Sequence, residues 1–399
     1  MGKDEEKNVW LTCIFIELMF ILQTTEDRTM CEHCDSKATM SEGIPEKMKA
    51  VVAYAPKDYR LETVDVPKIS EEEILVRVEA CGICAGDVKA FEGAPSFWGD
   101  AEQPAYIKAP MIPGHEFIGH VVGFGSKVEG FALGDRVISE QIVPCWECRF
   151  CKRGEYWMCE KHDLYGFQYN VNGGMAQYMK FTKEAINYHV PVEMPIEDAI
   201  LIEPYACSLH AVQRANVKLG DVVVLSGAGT LGLGMIGAIK KSGAGKLVVL
   251  DLFDKRLELA KEFGADIVLN PKRDDVDKIV KEMTEGYGCD IYIEATGAPK
   301  SVEQGLKMIR KLGTFVEFSV FKDPVTVDWS IISDRKELDL LGSHLGPYCY
   351  PLVIEGIGNG DFPTKGVVTD ILPLDKFAEG FSMMAKGDPH IKVVLDPNL

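Results

Sequence analysis
The chain has 399 residues, enough for two domains of ordinary size with a core in each. Its hydrophobic share of 46% and charged share of 26% exclude a disordered or fibrous class. A formal net charge of -18 argues against a nucleic-acid partner, because neutralising phosphates needs clustered Lys and Arg.

At the N-terminal end, "VWLTCIFIELMFIL" (9–22) is apolar but short and is interrupted by Glu17. It lacks the basic leader and small-residue cleavage site of a secretory signal, and no apolar run reaches the roughly 18 residues of a membrane helix. No membrane partner is expected. "CEHC" follows, with Cys31 and Cys34 spaced for metal or redox chemistry but with no second ligand pair nearby. Met40 and Met48 each precede a plausible start, so residues 1–47 read as a disordered extension or a start assigned too early.

From Met48 the pattern turns to short β-branched runs separated by Gly, Pro and Asp: "MKAVVAYA", "EEILVRVEACGIC", "EFIGHVVGFGSKV" and "GDRVIS". This predicts a barrel-like antiparallel domain over 48–205. Within it, "CWECRFCKRGEYWMC" places Cys145, Cys148, Cys151 and Cys159 in a C-x2-C-x2-C-x7-C spacing. One loop can then wrap a tetrahedral ion with four thiolates, the closed arrangement of structural zinc. Iron–sulfur ligation uses similar spacings, so arithmetic alone does not select zinc. Lys152 and Arg153 partly offset the thiolate charge. Disulfides do not fit a chain without secretory signals, and the cytoplasm is the expected compartment.

Near residue 206 the rhythm changes. "DVVVLSG" (221–227), "KLVVLD" (246–251), "ADIVL" (265–269), "CDIYIEA" (289–295) and "GTFVEFSV" (313–320) are near-continuous apolar runs separated by helical stretches. Strands buried on both faces that alternate with helices predict an α/β domain with a doubly wound parallel sheet over 206–347. "FSVFKDPVTVDWSII" (318–332) reads as a β-rich edge suited to joining subunits. Short strands return in "GVVTDILPL" and "IKVVLD", so 348–399 is assigned to the first domain.

Gly227, Gly229 and Gly232 form GxGxxG directly after a strand and at the opening of a helix, with Asp251 ending the next strand. Such glycines allow a tight turn and a close approach of pyrophosphate to a helix N-terminus. Asp251 would accept the adenosine ribose hydroxyls and repel a 2′-phosphate, which favours NAD, although Lys255 and Arg256 could reach a phosphate. The alternative is a purely structural turn.

A second set of metal-ligand types is dispersed: Cys84 in "ACGICAGDV", His115 and Glu116 in "PGHEFIGH", and Glu203 in "LIEPYACSLHA". A catalytic zinc takes three protein ligands and leaves one position open. Taken singly, each residue also has an ordinary explanation: a buried Cys, a capped His, a surface Glu.

In order, "GICAGD", "GHE", the cysteine lobe, "GGMAQY" (173–178), "IEP", "GAGTLG" and "EATGA" (294–298) resemble the motifs of the medium-chain zinc-dependent alcohol dehydrogenases, over about 48–396. Within that superfamily the chain is most similar to the polyol branch. The resemblance implies a GroES-like β-barrel catalytic domain beside a Rossmann domain. It also implies one catalytic and one structural zinc. The expected reaction is NAD-linked oxidation of a secondary hydroxyl of a small polyol, of the erythritol/L-threitol class, to a ketose. Cys84, His115, Glu116 and Glu203 then fall on the catalytic-zinc positions, with either Glu as the inner ligand, and Asp87 orients the ligand shell. Gly227, Gly229, Thr230, Leu231, Gly232, Asp251, Arg256 and Thr296 fall on coenzyme positions.

One departure stands out. Gly86 occupies the place of a hydroxyl residue that relays the substrate proton, and Lys89 stands where some relatives have a relay His. A route through water and Glu203 is expected instead. Other readings are another secondary alcohol (sorbitol, xylitol or threonine type) or a non-catalytic sensor of zinc and NAD. His120, His162 and His210 read as core or interface residues. Phe91, Phe97 and Trp98, and likewise His344 and Tyr348, are open between packing and a substrate-pocket wall. A homo-oligomer, dimer or tetramer, is expected.

Overall fold
β-Branched runs after Met48 pair into sheets whose registers place the ligand-type residues. The computed structural model describes residues 38–321 and 324–399. Lys47–Ala55 pairs antiparallel with Asp58–Asp65. The larger sheet of the first half runs in the order Asn187–His189, Arg136–Ser139, Glu116–Phe124, Ile74–Gly82, Lys392–Asp396, Val368–Pro373. Tyr178–Phe181 also pairs with Ile74–Gly82. The last two strands of the chain therefore lie beside Ile74–Gly82, and they form the parallel pair in an otherwise antiparallel sheet.

The expectation of an unstructured extension through residue 47 is corrected at its C-terminal end. Thr39–Met40 pairs with Phe124 and Gly123, and a Cβ on Gly123 would lie 2.4 Å from the Met40 sulfur. Glycine there leaves the space that Met40 fills. Cys31 and Cys34 lie outside the described residues.

Six parallel strands form the second sheet, in the order Ile267–Leu269, Lys246–Leu250, Val222–Ser226, Cys289–Glu294, Ile309–Glu317, Asp339–Gly342. Counted from Val222–Ser226 this is 3-2-1-4-5-6, the dinucleotide-binding order. The helices Thr230–Lys241, Asp254–Glu262, Val276–Met283 and Pro299–Met308 connect its strands. Near-complete burial of Val223, Val224, Leu247, Val248, Tyr292 and Ile293 explains why these segments read as unbroken apolar runs.

Among the described residues of 318–332, the expected β-rich edge is absent. The strand ends at Glu317, Ile331–Arg335 forms a helical turn, and the sheet edge is Asp339–Gly342. Pro324 has no N–H to extend the ladder, and Val325, Val327, Ile331 and Ile332 pack against the core below the sheet instead.

One hydrophobic core runs from Ala80 and Ile118 of the first sheet through Tyr205 and Ala206 to Val223 and Leu225 of the second. Tyr205 and Ala206 belong to the helix Ile202–Ala215, which also carries Glu203 and is wedged at the junction. Tyr350 and Val353 of the helix Tyr350–Gly358 join the same core.

Candidate metal centre and coenzyme site
Antiparallel pairing of Gly82 with Glu116 brings two distant motifs together. Cys84 lies two residues beyond the end of one strand, and His115 and Glu116 open the other. Gly82 is needed for this approach, because a Cβ there would meet Glu116 Oε2 at 2.2 Å. The ligand atoms of Cys84, His115 and Glu116 all lie within 4.8 Å of one another. Cys84 caps the helix Ala85–Glu92, and its N–H donates to Asp87 Oδ2 at 2.9 Å. The other Asp87 oxygen stands 3.4 Å from His115 Nδ1, which is buried without a formed hydrogen bond. Burial opposes a proton on His115, but Asp87 and Cys84 outweigh it and hold the imidazole well above its ordinary pKa.

Glu116 is engaged from the opposite side. Lys392 Nζ donates to its two oxygens at 2.8 and 2.6 Å and to Ile83 O at 3.2 Å. The two side chains are 3% and 1% exposed, a fully buried ion pair. Glu203 does not join the three-residue cluster. Its Oε1 accepts from Gln141 Nε2 and lies 3.4 Å from Cys207 Sγ. Gln141 in turn accepts from the Tyr350 hydroxyl at 2.9 Å. Burial first, and then the Glu116 carboxylate, push Glu203 up to about 7.

The donor set fits a divalent cation. Sulfur, imidazole and carboxylate donors converge, and Glu116 and Glu203 bury two carboxyl groups near one ammonium, Lys392. Gly86 leaves open space, since a Cβ there would find only Cys84 Sγ at 3.7 Å and Phe97 Cζ at 3.9 Å. The Lys89 ammonium donates to Val320 O, 231 residues away in sequence, at 2.5 Å.

The four lobe cysteines also gather within 4.8 Å. Cys148 caps the helical turn Arg149–Lys152, which carries Cys151; their sulfurs are 3.5 Å apart, and the Cys145 and Cys151 sulfurs are 4.0 Å apart. Tetrahedral zinc with Zn–S bonds of about 2.3 Å needs sulfurs roughly 3.8 Å apart, so these spacings fit that ion. Main-chain N–H groups, that of Cys151 first, bring the Cys148 thiol down to about 6. Tyr156, inside the lobe, donates to Glu140 Oε1 at 2.8 Å, and Tyr188 donates to the same oxygen at 2.8 Å.

At the nucleotide sheet, Gly227 has φ 109°, and a Cβ on it would lie 2.6 Å from Ala295 O. A Cβ on Gly232 would lie 1.9 Å from Gly227 O, so the turn closes only with glycine there. Gly229 precedes the helix Thr230–Lys241. Asp251 accepts from Ala228 N and Phe253 N, which fixes its carboxylate at the mouth of the turn. Arg256 Nη1 would lie 3.8 Å from a Cβ on Gly229, while Nη2 donates to His390 O. Two of the expected coenzyme residues have their hydroxyls engaged within the protein. The buried Thr230 hydroxyl donates to Ile391 O, and Thr296 bonds Glu294 through its N–H and hydroxyl. Leu231 contributes a carbonyl that accepts from Ser208.

Lys392 and Gln141 are the site residues that sequence reasoning missed. A lysine inside the buried strand Lys392–Asp396 was a usable signal, because lysine is seldom fully buried without a partner. Gln141 carried no comparable signal.

Comparison with known proteins agrees with this geometry. Residues 70–192 match the alcohol dehydrogenase GroES-like domain, and residues 230–357 match the zinc-binding dehydrogenase family. The erythritol/L-threitol dehydrogenase of Mycolicibacterium smegmatis is 50% identical over 90% of this chain and 100% of its own length. An L-threonine 3-dehydrogenase of Pyrococcus horikoshii is 35% identical over 86% of this chain and 97% of its own. The solved structure of a putative zinc-binding dehydrogenase from Sinorhizobium meliloti, bound to NADP, has TM-score 0.80 and 27% identity over 88% of this chain and 100% of that one. Joined to a cluster of Cys, His and Glu donors beside a dinucleotide fold, these likenesses establish that the chain belongs to the zinc-binding alcohol dehydrogenases and is an oxidoreductase.

Proposed function
We propose that this protein oxidises a secondary hydroxyl of a small polyol, of the erythritol/L-threitol class, to a ketose with NAD as hydride acceptor. The observation that carries this reading is the convergence of Cys84, His115 and Glu116 within 4.8 Å. The 50% identity to an erythritol/L-threitol dehydrogenase supports the substrate class. In this reading Cys84, His115 and Glu116 hold the catalytic zinc, Glu203 stands beside them, and Cys145, Cys148, Cys151 and Cys159 hold a structural zinc. Zinc at the first position supplies Lewis-acid chemistry that makes a hydroxyl acidic near neutral pH.

The protein's own residues do the rest. Asp87 orients His115, and Lys392 fixes and neutralises the Glu116 carboxylate. Gly86 has no hydroxyl and the Lys89 ammonium is held by Val320 O, so the substrate proton leaves through a water to Glu203. Burial raises Glu203 into the range suited to accepting it. Gly227, Gly229 and Gly232 admit the pyrophosphate, and Leu231, Arg256 and Thr296 line the same turn. Asp251 takes the adenosine ribose and favours NAD. Arg256 and the NADP-bound neighbour make NADP the coenzyme to test against it.

The exposed edge strand Asp339–Gly342, with Leu340 on it, supports a homo-oligomer. All nine described cysteines carry free thiols, which suits a cytoplasmic location. Among the described residues no helix is long and apolar enough to cross a membrane.

The test is reduction of NAD, and separately NADP, by the purified protein with erythritol, both threitols, xylitol, sorbitol, threonine and a simple secondary alcohol. Turnover led by the four-carbon polyols supports the proposal. Preference for threonine would favour the reading suggested by the threonine dehydrogenase relative. No turnover on any of them would remove it.

A further inference from the structure
Beyond the metal-type donors, a row of aromatic rings runs from His115 and ends in two histidines. The His115 ring lies 5.3 Å from that of Phe167, Phe167 lies 5.6 Å from Tyr106, and Tyr106 lies 5.8 Å from His162. Phe97 stacks on Phe167 at 5.6 Å and reaches back toward Gly86 and Cys84. The faces of this row are apolar, and its one phenol, Tyr106, already donates to His162 O at 3.1 Å. The row ends at the imidazoles of His162 and His344. Their Nε2 atoms are 3.1 Å apart, and the rings lie 5.0 Å apart at 23°.

These rings come from distant parts of the chain, 182 residues apart in sequence. His162 leaves the cysteine lobe in the left-handed region at φ 50°, pinned by Tyr106. His344 follows the edge strand Asp339–Gly342, and its carbonyl accepts from His210 Nδ1 at 3.1 Å. Each ring is part-buried rather than packed away.

The 3.1 Å contact needs one proton between the two nitrogens, so one ring donates through Nε2 and the other accepts. Burial lowers His162 below its ordinary value. Burial, and then the neighbouring His162 and His210, bring His344 down to about 4. Both rings are thus neutral near pH 7. A neutral imidazole that donates through Nε2 has a bare Nδ1, and one that accepts there carries Nδ1–H. The pair consequently presents one acceptor and one donor at its outer nitrogens. Among the described residues neither Nδ1 has a hydrogen-bond partner. A hydroxyl, which donates and accepts at once, matches that pair.

We propose that His162 and His344 together form a hydroxyl-binding subsite, which takes a substrate hydroxyl remote from the carbon that is oxidised. It rests on the polyol reading above, and it makes substrate recognition depend on both the segment after the cysteine lobe and the segment after Asp339–Gly342.

The experiment compares erythritol with 1,2-butanediol, which keeps the reacting end and lacks the two remote hydroxyls, in wild type, His162→Phe, His344→Phe and His344→Asn. Two quantities are read: kcat/KM, and the dissociation constant from the enzyme–NADH complex followed by NADH fluorescence, which needs no turnover. Each Phe variant should lose about tenfold more on erythritol than on 1,2-butanediol in both quantities, because a site built to bond a hydroxyl discriminates through its unpaired polar groups. His344→Asn, which keeps a donor and an acceptor, should recover part of the loss. Equal losses on the two substrates, or no loss on either, would overturn the subsite. If the wild type instead prefers threonine or sorbitol, the polyol reading fails on its own. The subsite is then judged on that substrate against its deoxy analogue, with equal losses again overturning it.

Discussion

Replacing Lys392 with Met would strand the Glu116 carboxylate in the interior. The ammonium makes three contacts, with the two Glu116 oxygens at 2.8 and 2.6 Å and with Ile83 O at 3.2 Å. Burial alone would lower its pKa, but Glu116, and then Cys84, hold it above the ordinary lysine value, so the pair is ionic. Removing one partner of a buried pair costs about 3–5 kcal/mol, because the remaining charge stays desolvated and unpaired. Removing both charges costs far less, so Lys392→Met/Glu116→Gln should lose only about 1–2 kcal/mol, a coupling of at least about 2 kcal/mol. The assay is urea unfolding of chelator-treated wild type, both single variants and the double variant, followed by tryptophan fluorescence. Zinc should shrink the loss in Lys392→Met, because a cation beside Glu116 partly replaces the ammonium. A Lys392→Met protein within about 1 kcal/mol of wild type, or a double variant as unstable as that single one, would refute the reasoning.

Glu140 should set a pH dependence of stability. Burial first pushes its carboxyl up to about 7, against the pull of the Tyr188 and Tyr156 hydroxyls. Because the folded value lies above the unfolded one, the folded state holds the extra proton. Stability is full below the unfolded pKa and falls as pH rises through about 7, by up to about 3 kcal/mol. Glu140→Gln, which mimics the neutral acid, should flatten that slope in denaturation series at pH 5 to 8; an unchanged slope would count against it. Glu203→Gln should cut kcat by about a hundredfold or more and Lys89→Ala by much less, as measured by NADH formation; equal losses or the reverse order would remove the Glu203 route. Gly232→Ala puts a Cβ 1.9 Å from Gly227 O. Overpacking of about 1–3 kcal/mol should weaken NADH binding roughly tenfold in a fluorescence titration, and wild-type affinity would contradict that view of the turn.

What was legible in the sequence depended on how local its cause is. The parallel sheet could be read because strands such as Val222–Ser226 and Lys246–Leu250 are buried on both faces and lose the alternation of a half-exposed strand. The cysteine lobe could be read because its four thiols belong to one short loop. The region 318–332 misled because its apolar side chains fit a core-packed loop as well as a strand, and Pro324 was the one residue that told them apart. The cluster at Cys84 needed the register of Gly82 against Glu116, which no local pattern encodes. Lys392 lies 276 residues from its partner, so only its improbable burial hinted at an ion pair. His162 read as a core or interface residue and His344 was open between packing and a pocket wall, and only folding opposed their ring nitrogens.

The most direct test of the account is the zinc content of wild type and of Cys84→Ser, measured beside NADH formation from erythritol. If Cys84, His115 and Glu116 hold the zinc that runs the reaction while the four lobe cysteines hold another, the variant should lose about one equivalent of zinc per chain and its activity. It should keep the lobe zinc and its fold. A Cys84→Ser protein that retains all its zinc and oxidises erythritol at the wild-type rate would contradict the assignment of the active metal centre.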